Sequence, residues 1–446
     1  MFDQTNKRPK ITRRAVGGLA LAAVLSASAG ATLAADQPTI KMAINQSPWL
    51  DSFIAMVDKY EDETGNKIEL DVSPYAGLLE KVRNSVRGAD GEFDLLNINS
   101  LWLSEIYSGG FLAPLGELSD GYALADSVLT YGDTVSWDAA SSTFAAEGTL
   151  MGVPLNGNVQ VLYYNTEIYA GLGLSEPTTW AQVQSNADAI QAAGDAYGFV
   201  TRSGRKSIVY NFTPYLFSHG GSFFEVGEDG INVTINSSEG LAALDTYVGL
   251  ATKSGPPSPG AVEQGDLIQL LSTGRAGQAI AVIGAWGGLE NPEKSAVVGK
   301  LNAALIPAGA GGSASSAGHW VGGIPANISP ERQQAALAFL TWFQDKDVQT
   351  AYVQAGGVPV RGDLAGGALS ADDSYRFIDA YSANAANAVM GLPVPQASEI
   401  SSAVALQLNR AVIGEVSSAE ALNAAAADIA TIMEREGYTV TRGVDL

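Results

Sequence analysis

The sequence predicts an α/β fold divided into more than one lobe, and three observations predict it. The chain has 446 residues, more than one compact core ordinarily encloses. Its hydrophobic fraction, 46%, is that of a folded globular protein and excludes wholesale disorder. From Pro38 onward the apolar residues switch repeatedly between a spacing of two and a spacing of three to four.

Taken in order, residues 39–44 alternate polar and apolar side chains, as a half-buried strand does. Phe53, Met56, Val57 and Tyr60 then mark a helix that Gly65 stops in the left-handed conformation. Residues 68–72 read as a second strand, Leu78, Leu79, Val82 and Val86 as a second helix, and residues 93–98 as a third strand. This βαβαβ run implies right-handed crossovers and a mainly parallel sheet, with ligands gathering beyond the carboxyl ends of its strands. The stretch from Asn99 to Trp102 is therefore a candidate binding loop. A second unit begins near Leu155, with a strand over 159–164 and a helix opened by a Thr179–Gln182 capping box. Helical spacing at Leu241, Leu244 and Val248 ends in the Pro- and Gly-rich loop 254–260, and residues 278–283 read as a buried strand. Residues 308–318 have the composition of a flexible linker. Trp320 and a helix with Ser329 as N-cap and Pro330 at its first position follow so closely that the stretch reads as a loop crossing between lobes. Two closing helices run from about Ser398, the second opened by Ser417 and Glu420.

Charge and missing motifs remove whole classes of function. Lys and Arg number 25 against 47 Asp and Glu, a formal charge of −22, and such a surface repels nucleic acid. The lack of cysteine excludes disulfides, thiolate nucleophiles and thiolate metal sites. His219 and His319 are a thin supply for a metal centre or a triad. No phosphate loop, G-x-S-x-G elbow, H-E-x-x-H or calcium loop occurs, so no catalytic residue, cofactor or metal is expected. A secreted carbohydrate-active enzyme would need only two converging carboxylates; composition leaves that reading open, but no pair stands out. An adhesive envelope protein is disfavoured by the absence of repeats.

Residues 1–35 read as a secretory signal. Lys7, Arg8, Lys10, Arg13 and Arg14 form a basic head, an uncharged stretch follows, and small residues lead to expected cleavage near Ala34. Thr12-Arg13-Arg14 also resembles a twin-arginine signal, although residues 15–17 complete that pattern weakly. With no cysteine for a lipid anchor and no later run of about 18 apolar residues, a free periplasmic protein is expected.

The chain then resembles a known family through an ordered series of short segments. They include Asp94-Leu95-Leu96, Trp102, Gly109-Gly110-Phe111-Leu112-Ala113-Pro114-Leu115, Gly152-Val153-Pro154 and Leu162-Tyr163-Tyr164-Asn165-Thr166. Pro177-Thr178-Thr179-Trp180, Ser218-His219-Gly220-Gly221, Gly284-Ala285-Trp286, Gly322-Gly323-Ile324-Pro325 and Gly356-Gly357-Val358-Pro359-Val360-Arg361 continue the series. In this order they resemble the maltose-binding-like family 1 of extracellular solute-binding proteins of ABC sugar importers. The resemblance implies a periplasmic-binding-protein-like fold, two discontinuous α/β lobes around a ligand cleft with a three-segment hinge. Crossings near Leu155, Ala303 and Gly357 would make lobe 1 from 36–155 and 303–357, and lobe 2 from 156–302 and 358–446. It also implies a monomer that closes on a small molecule and hands it to membrane permease subunits.

Sugars present apolar faces for aromatic rings and hydroxyls for amides and carboxylates, so the expected ligand is a neutral mono- or oligosaccharide or polyol. Trp49, Trp102, Trp286 and Trp320 lie just past strands or at the glycine-rich crossing and are candidates for stacking. Trp180 and Trp342 read as packing residues. Tyr75, Asn99, Asn156, Asn158 and His319 are polar candidates, although Asn-Gly-Asn at 156–158 is equally the chemistry of a turn. His219 reads as structural. Arg361 could hold an anion or pair with a carboxylate, pairing being favoured. A charged ligand (sugar phosphate or sulfonate, polyamine) is the alternative; an anion would call on Arg202, Arg205, Lys206 or Arg361.

Overall fold

The computed structural model describes residues 37–227 and 230–446, so the expected signal segment lies outside the described residues. The elements that position the site begin with β1 (Ile40–Asn45), α1 (Leu50–Thr64), β2 (Ile68–Ser73), α2 (Tyr75–Arg87) and β3 (Leu95–Asn99). There follow β4 (Val153–Asn156), β5 (Gln160–Asn165), α3 (Ile208–Ser218), α4 (Ser238–Lys253), β6 (Gln278–Val282) and β7 (Leu301–Ala304). The last are β8 (Trp320–Gly323), α5 (Pro330–Phe343), α6 (Phe377–Ala386), α7 (Ala397–Val412) and α8 (Ser418–Arg435).

The local signals act as the sequence implied. Gly65 caps α1 at φ 76°, a conformation that costs a residue with a Cβ more than it costs glycine. Ser417 and Glu420 form a reciprocal capping box on α8, and Thr179 and Gln182 form another. Ser329 precedes Pro330 but its side chain caps nothing.

One five-stranded sheet has the order β2-β1-β3-β8-β4. The strand β1 runs parallel to β2 and β3, whereas β8 is antiparallel to β3 and β4. The sheet is thus mixed rather than mainly parallel. The reason is that β8 arrives from another part of the chain, not through a βαβ crossover. Phe53, Tyr60, Leu96, Ile98, Val321, Phe339 and Leu340 form its buried core.

A second sheet is antiparallel, in the order β6-β5-β7, and β5 is buried along its whole length. The period-two geometry of β5 divides its side chains between two cores. Leu162 and Tyr164 face one with Phe212, Tyr247 and Leu408; Val161 and Tyr163 face the other with Trp286, Phe377 and Tyr381. The glycine-rich stretch 308–318 stays with this second body, since Ala308 N donates to Thr178 O at 2.8 Å and Ser315 pairs with Ala388. Among the described residues no helix is long and apolar enough to cross a membrane, and no group of three or more His, Asp or Glu could hold a metal.

Candidate ligand-binding cleft

The parallel register of β1, β2 and β3 ends all three strands on one edge of the first sheet, and the antiparallel β8 begins there. Trp49, Tyr75, the Asn99–Trp102 turn and Trp320 are therefore carried to one place by four different segments. Trp320 lies 6.1 Å from Trp49, 5.6 Å from Trp102 and 6.0 Å from Tyr75, centroid to centroid, and Tyr75 lies 4.6 Å from Trp102. Asn99 caps the turn that follows β3: its Oδ1 accepts from Leu101 N at 3.2 Å and from the Tyr75 hydroxyl at 3.0 Å.

The three tryptophans are a floor and Tyr75 is what shows. Trp49 and Trp102 are 1% exposed and Trp320 is 4% exposed, whereas Tyr75 is 42% exposed. Yet desolvation by the surrounding protein pushes the Tyr75 hydroxyl well up from its ordinary pKa, against a smaller opposing effect of the Arg202 charge. A ring with open area and a desolvated hydroxyl belongs to the wall of a cleft, not to a convex surface.

Arg202 and Tyr210 lie near enough to Tyr75 for their charges to act on its hydroxyl. Arg202 follows Val200, which bridges to Ala279 on β6, and Tyr210 lies in the first turn of α3. The backbone at Arg202 is pinned from both sides: its N–H donates to Asn211 Oδ1 at 3.0 Å, and its carbonyl accepts from the Tyr247 hydroxyl at 3.1 Å. The guanidinium carbon sits 5.5 Å from the Tyr210 ring centroid. Arg202 Nε and Nη1 and the Tyr210 hydroxyl are sealed from solvent with no hydrogen-bond partner among the described residues. Burial lowers the guanidinium pKa and raises that of the Tyr210 hydroxyl. A Cβ on Gly318 would lie 2.0 Å from that hydroxyl, so only glycine lets the Tyr210 ring reach this position.

Three chain segments pass side by side beneath the cleft. Gly157 N donates to Val358 O at 3.3 Å, and Gly318 N donates to Asn158 O at 3.0 Å. Asn-Gly-Asn at 156–158 is not a turn but part of this ribbon. Gly157 is needed for closeness, since its Cβ would meet the Tyr381 hydroxyl at 2.0 Å, Pro359 O at 2.2 Å and the Tyr131 hydroxyl at 2.4 Å. Asn158, partly exposed, accepts from Gly284 N at 3.1 Å through Oδ1, and Gly284 in turn lies against Trp49. Asn156 is wholly buried; its Nδ2 donates to the Tyr352 hydroxyl at 2.8 Å while its Oδ1 has no partner.

The remaining candidates have partners elsewhere. Trp286 donates to Ser374 O at 3.0 Å and is covered by Arg376 at 4.6 Å and Phe377 at 5.2 Å, a packing role in place of the expected stacking. His319 is completely buried, stacked 4.4 Å from Tyr131 with Nε2 2.7 Å from Thr134 Oγ1, and desolvation lowers its pKa to about 3. Arg361 makes a two-pronged pair with Asp363, at 2.9 Å on each prong, which holds that carboxyl down at about 2. Trp180 stacks on Tyr215, and His219 lies against the Tyr215 carbonyl, both structural.

Sequence reasoning did not single out Tyr210. Leu101 packs against both the first-sheet core and the core containing α7. Together with the Lys294–Asp51 pair at 3.3 Å, it holds the two bodies against each other. The available signal for Arg202 was a basic loop, 202–206, just past a strand in an acidic chain. A groove of about 870 Å³ beside Pro256, Pro257 and Ile413 lies apart from these groups, and no aromatic floor or unpartnered guanidinium lines it.

A family model described as bacterial extracellular solute-binding protein matches residues 46–350. A probable amino-acid ABC transporter periplasmic-binding protein of Sinorhizobium fredii is 25% identical over 307 residues, 68% of each chain. A mannitol-binding protein of Pseudomonas aeruginosa is 24% identical over 273 residues, 59% of each chain. Among solved structures, an ABC transporter solute-binding protein of Agrobacterium radiobacter K84 in complex with ribitol has a TM-score of 0.75 at 22% identity, covering 88% of this chain and 98% of that one. Maltose-bound T. maritima MalE3 has a TM-score of 0.76 at 22% identity, covering 88% and 99%. These structural likenesses identify the periplasmic-binding-protein-like fold.

Proposed function

The chain belongs to the bacterial extracellular solute-binding proteins of ABC transporters, and from that premise we propose that it captures a small carbohydrate or polyol between its lobes and delivers it unaltered to a membrane permease. The family comprises transport binding proteins, not enzymes, so the site has to hold and release its ligand without breaking a bond. The observation that carries the ligand class is Tyr75: a half-open ring, fixed by Asn99, standing over a tryptophan floor and facing a polar wall. An aromatic face packs on the C–H side of a sugar, and the neighbouring amide and hydroxyl groups match its oxygens. The mannitol-binding relative and the ribitol-bound structural neighbour support the same chemistry.

The layout supports closure. In this reading lobe 1 is built on the first sheet and lobe 2 on the second, and the ribbon of Gly157, Gly318 and Val358 is the hinge. The pairing of β7 with β5 supports a second crossing at about 317–319, later than the Ala303 suggested by sequence. Release from the membrane into the periplasm after removal of residues 1–35 completes the proposal.

The test is a thermal-shift and calorimetry screen over monosaccharides, disaccharides and polyols, with the bound compound recovered and weighed. A stabilising ligand returned with its mass unchanged is the expected result; no response to any of them, or a chemically altered product, would refute it.

A further inference from the structure

We propose that the solute carries one carboxylate, a sugar acid rather than a neutral sugar, and that Arg202 with Tyr210 receives it. This rests on the reading of the cleft as a carbohydrate site and narrows it, preferring the charged-ligand alternative, for which Arg202 was one candidate, to the neutral ligand that the sequence favoured.

The argument is an accounting of donors and charge. Arg202 Nε, Arg202 Nη1 and the Tyr210 hydroxyl are shut away from water and have no partner among the described residues. A guanidinium has five N–H donors and no acceptor, and it keeps its proton in any protein environment. Arg202 is partly exposed as a whole, but two of its three guanidinium nitrogens are sealed without a partner, and leaving buried donors of a charged group unmatched is costly. The acid acting on it most directly, Glu263, is committed elsewhere: it accepts from Ser207 Oγ at 2.6 Å and Lys206 N at 3.2 Å, and it caps the helix that follows. By contrast Arg361, Arg376, Arg332 and Arg83 each have a carboxylate within hydrogen-bond distance. The chain pairs its other partly buried guanidiniums and leaves this one without a carboxylate, near enough to Tyr75 for its charge to act on that hydroxyl.

The site is also preorganised. The Asn211 and Tyr247 clamps fix the backbone at Arg202, and the Tyr210 ring lies under the guanidinium, holding its plane. Nε and Nη1 lie on different edges of the guanidinium, so a planar carboxylate takes one of them together with Nη2, as Asp363 takes Nε and Nη2 of Arg361, and the resulting charge-assisted pair is stronger than any bond a neutral hydroxyl makes there. A hydroxyl would satisfy a donor and leave the charge uncompensated.

Calorimetry on the intact protein decides it, using aldonates and uronates each beside the alditol or aldose of the same carbon skeleton, with gluconate against glucitol and glucuronate against glucose as the lead pairs. The expected result is an acid bound at least about tenfold tighter than its neutral counterpart, with Arg202→Gln costing about 100-fold, Arg202→Lys less, and Tyr210→Phe about fivefold. Should Arg202→Gln fail to fold by circular dichroism, Tyr210→Phe and the mass of the compound that co-purifies with the unaltered protein give independent readings. A neutral ligand that binds best and is indifferent to Arg202→Gln overturns the inference while leaving the carbohydrate reading intact; so does a clear preference for a phosphate ester of the same skeleton. Failure of every sugar, polyol and sugar acid overturns both.

Discussion

Tyr75 and Trp102 touch each other but answer to different forces. Tyr75 is the exposed partner, and on the proposed reading removing its ring deletes a ligand face; Trp102 is buried, and removing it leaves a hole. Tyr75→Ala is therefore expected to weaken binding by about 1–3 kcal/mol with little change in unfolding midpoint. Trp102→Ala is expected to cost about 3–5 kcal/mol of stability. Titration calorimetry beside urea denaturation separates the two, and equal effects on both quantities for both variants would contradict the assignment. His319 gives a pH prediction. Its folded pKa, about 3, lies below the ordinary 6.5, so as pH falls below 6.5 the unfolded chain gains a proton that the folded chain refuses. Stability present above pH 6.5 should fall by about 2 kcal/mol by pH 5, and His319→Gln should remove most of that slope. His219, also lowered by burial, leaves a smaller remainder, while the Asp363 pair, at about 2, is lost only in stronger acid. Denaturation midpoints at pH 7, 6 and 5 for both proteins check it. At this scale the position of Trp49, Trp102 and Trp320 beside strand ends was legible, because a strand end is a local signal, but their burial under Tyr75 was not. Nor was the lack of a protein partner for Arg202, because nothing in the order of residues shows which charges go unpaired.

Elements carry a different lesson. The helices α1 and α8 and the strands β1 to β3 announced themselves through periodicity, a glycine stop and capping boxes, all interactions within a few residues. The direction of β8 did not, since antiparallel entry into a sheet of parallel strands depends on where the chain has come from. Asn-Gly-Asn, expected beside the first crossing, carries the composition of a turn as well. Tertiary contacts from Tyr131, Pro359 and Tyr381 draw it out into an extended segment, where the missing Cβ permits their close approach. Gly157→Ala is accordingly expected to destabilise by at least about 1–3 kcal/mol, because two tyrosine hydroxyls and a carbonyl would have to retreat together. Gly171→Ala, where a Cβ meets nothing within 4 Å inside a helix, should be neutral or slightly stabilising. Thermal unfolding of the pair tests this, and a well-tolerated Gly157→Ala would mean the three crossings are not packed as tightly as described.

At the scale of the whole molecule the question is what keeps the lobes together. Contacts that bridge them include Leu101 against α7, Trp49 against Gly284, Gly287 against Gly356, and the exposed Lys294–Asp51 and Lys346–Asp363 pairs, each pair worth about 0–1 kcal/mol. On the proposed reading the unpartnered Nε and Nη1 of Arg202 work against closure. A ligand that satisfies the cleft would then shift the open–closed balance by its preference for the closed form. Small-angle scattering should show a smaller radius of gyration with saturating ligand than without, and a ligand at 100 times its dissociation constant should stabilise by about 2.7 kcal/mol. Lys294→Ala should expand the unliganded ensemble slightly, less so at high salt where the pair is already screened, and leave the liganded profile unchanged. Arg202→Gln should do the opposite, compacting the unliganded protein because the cost of burying an unpaired charge has been removed. A mutation that impairs capture while favouring closure is the distinctive signature of a charge kept in reserve for the solute, and superimposable unliganded profiles for Arg202→Gln and the unaltered protein would show that this charge plays no part in holding the lobes apart.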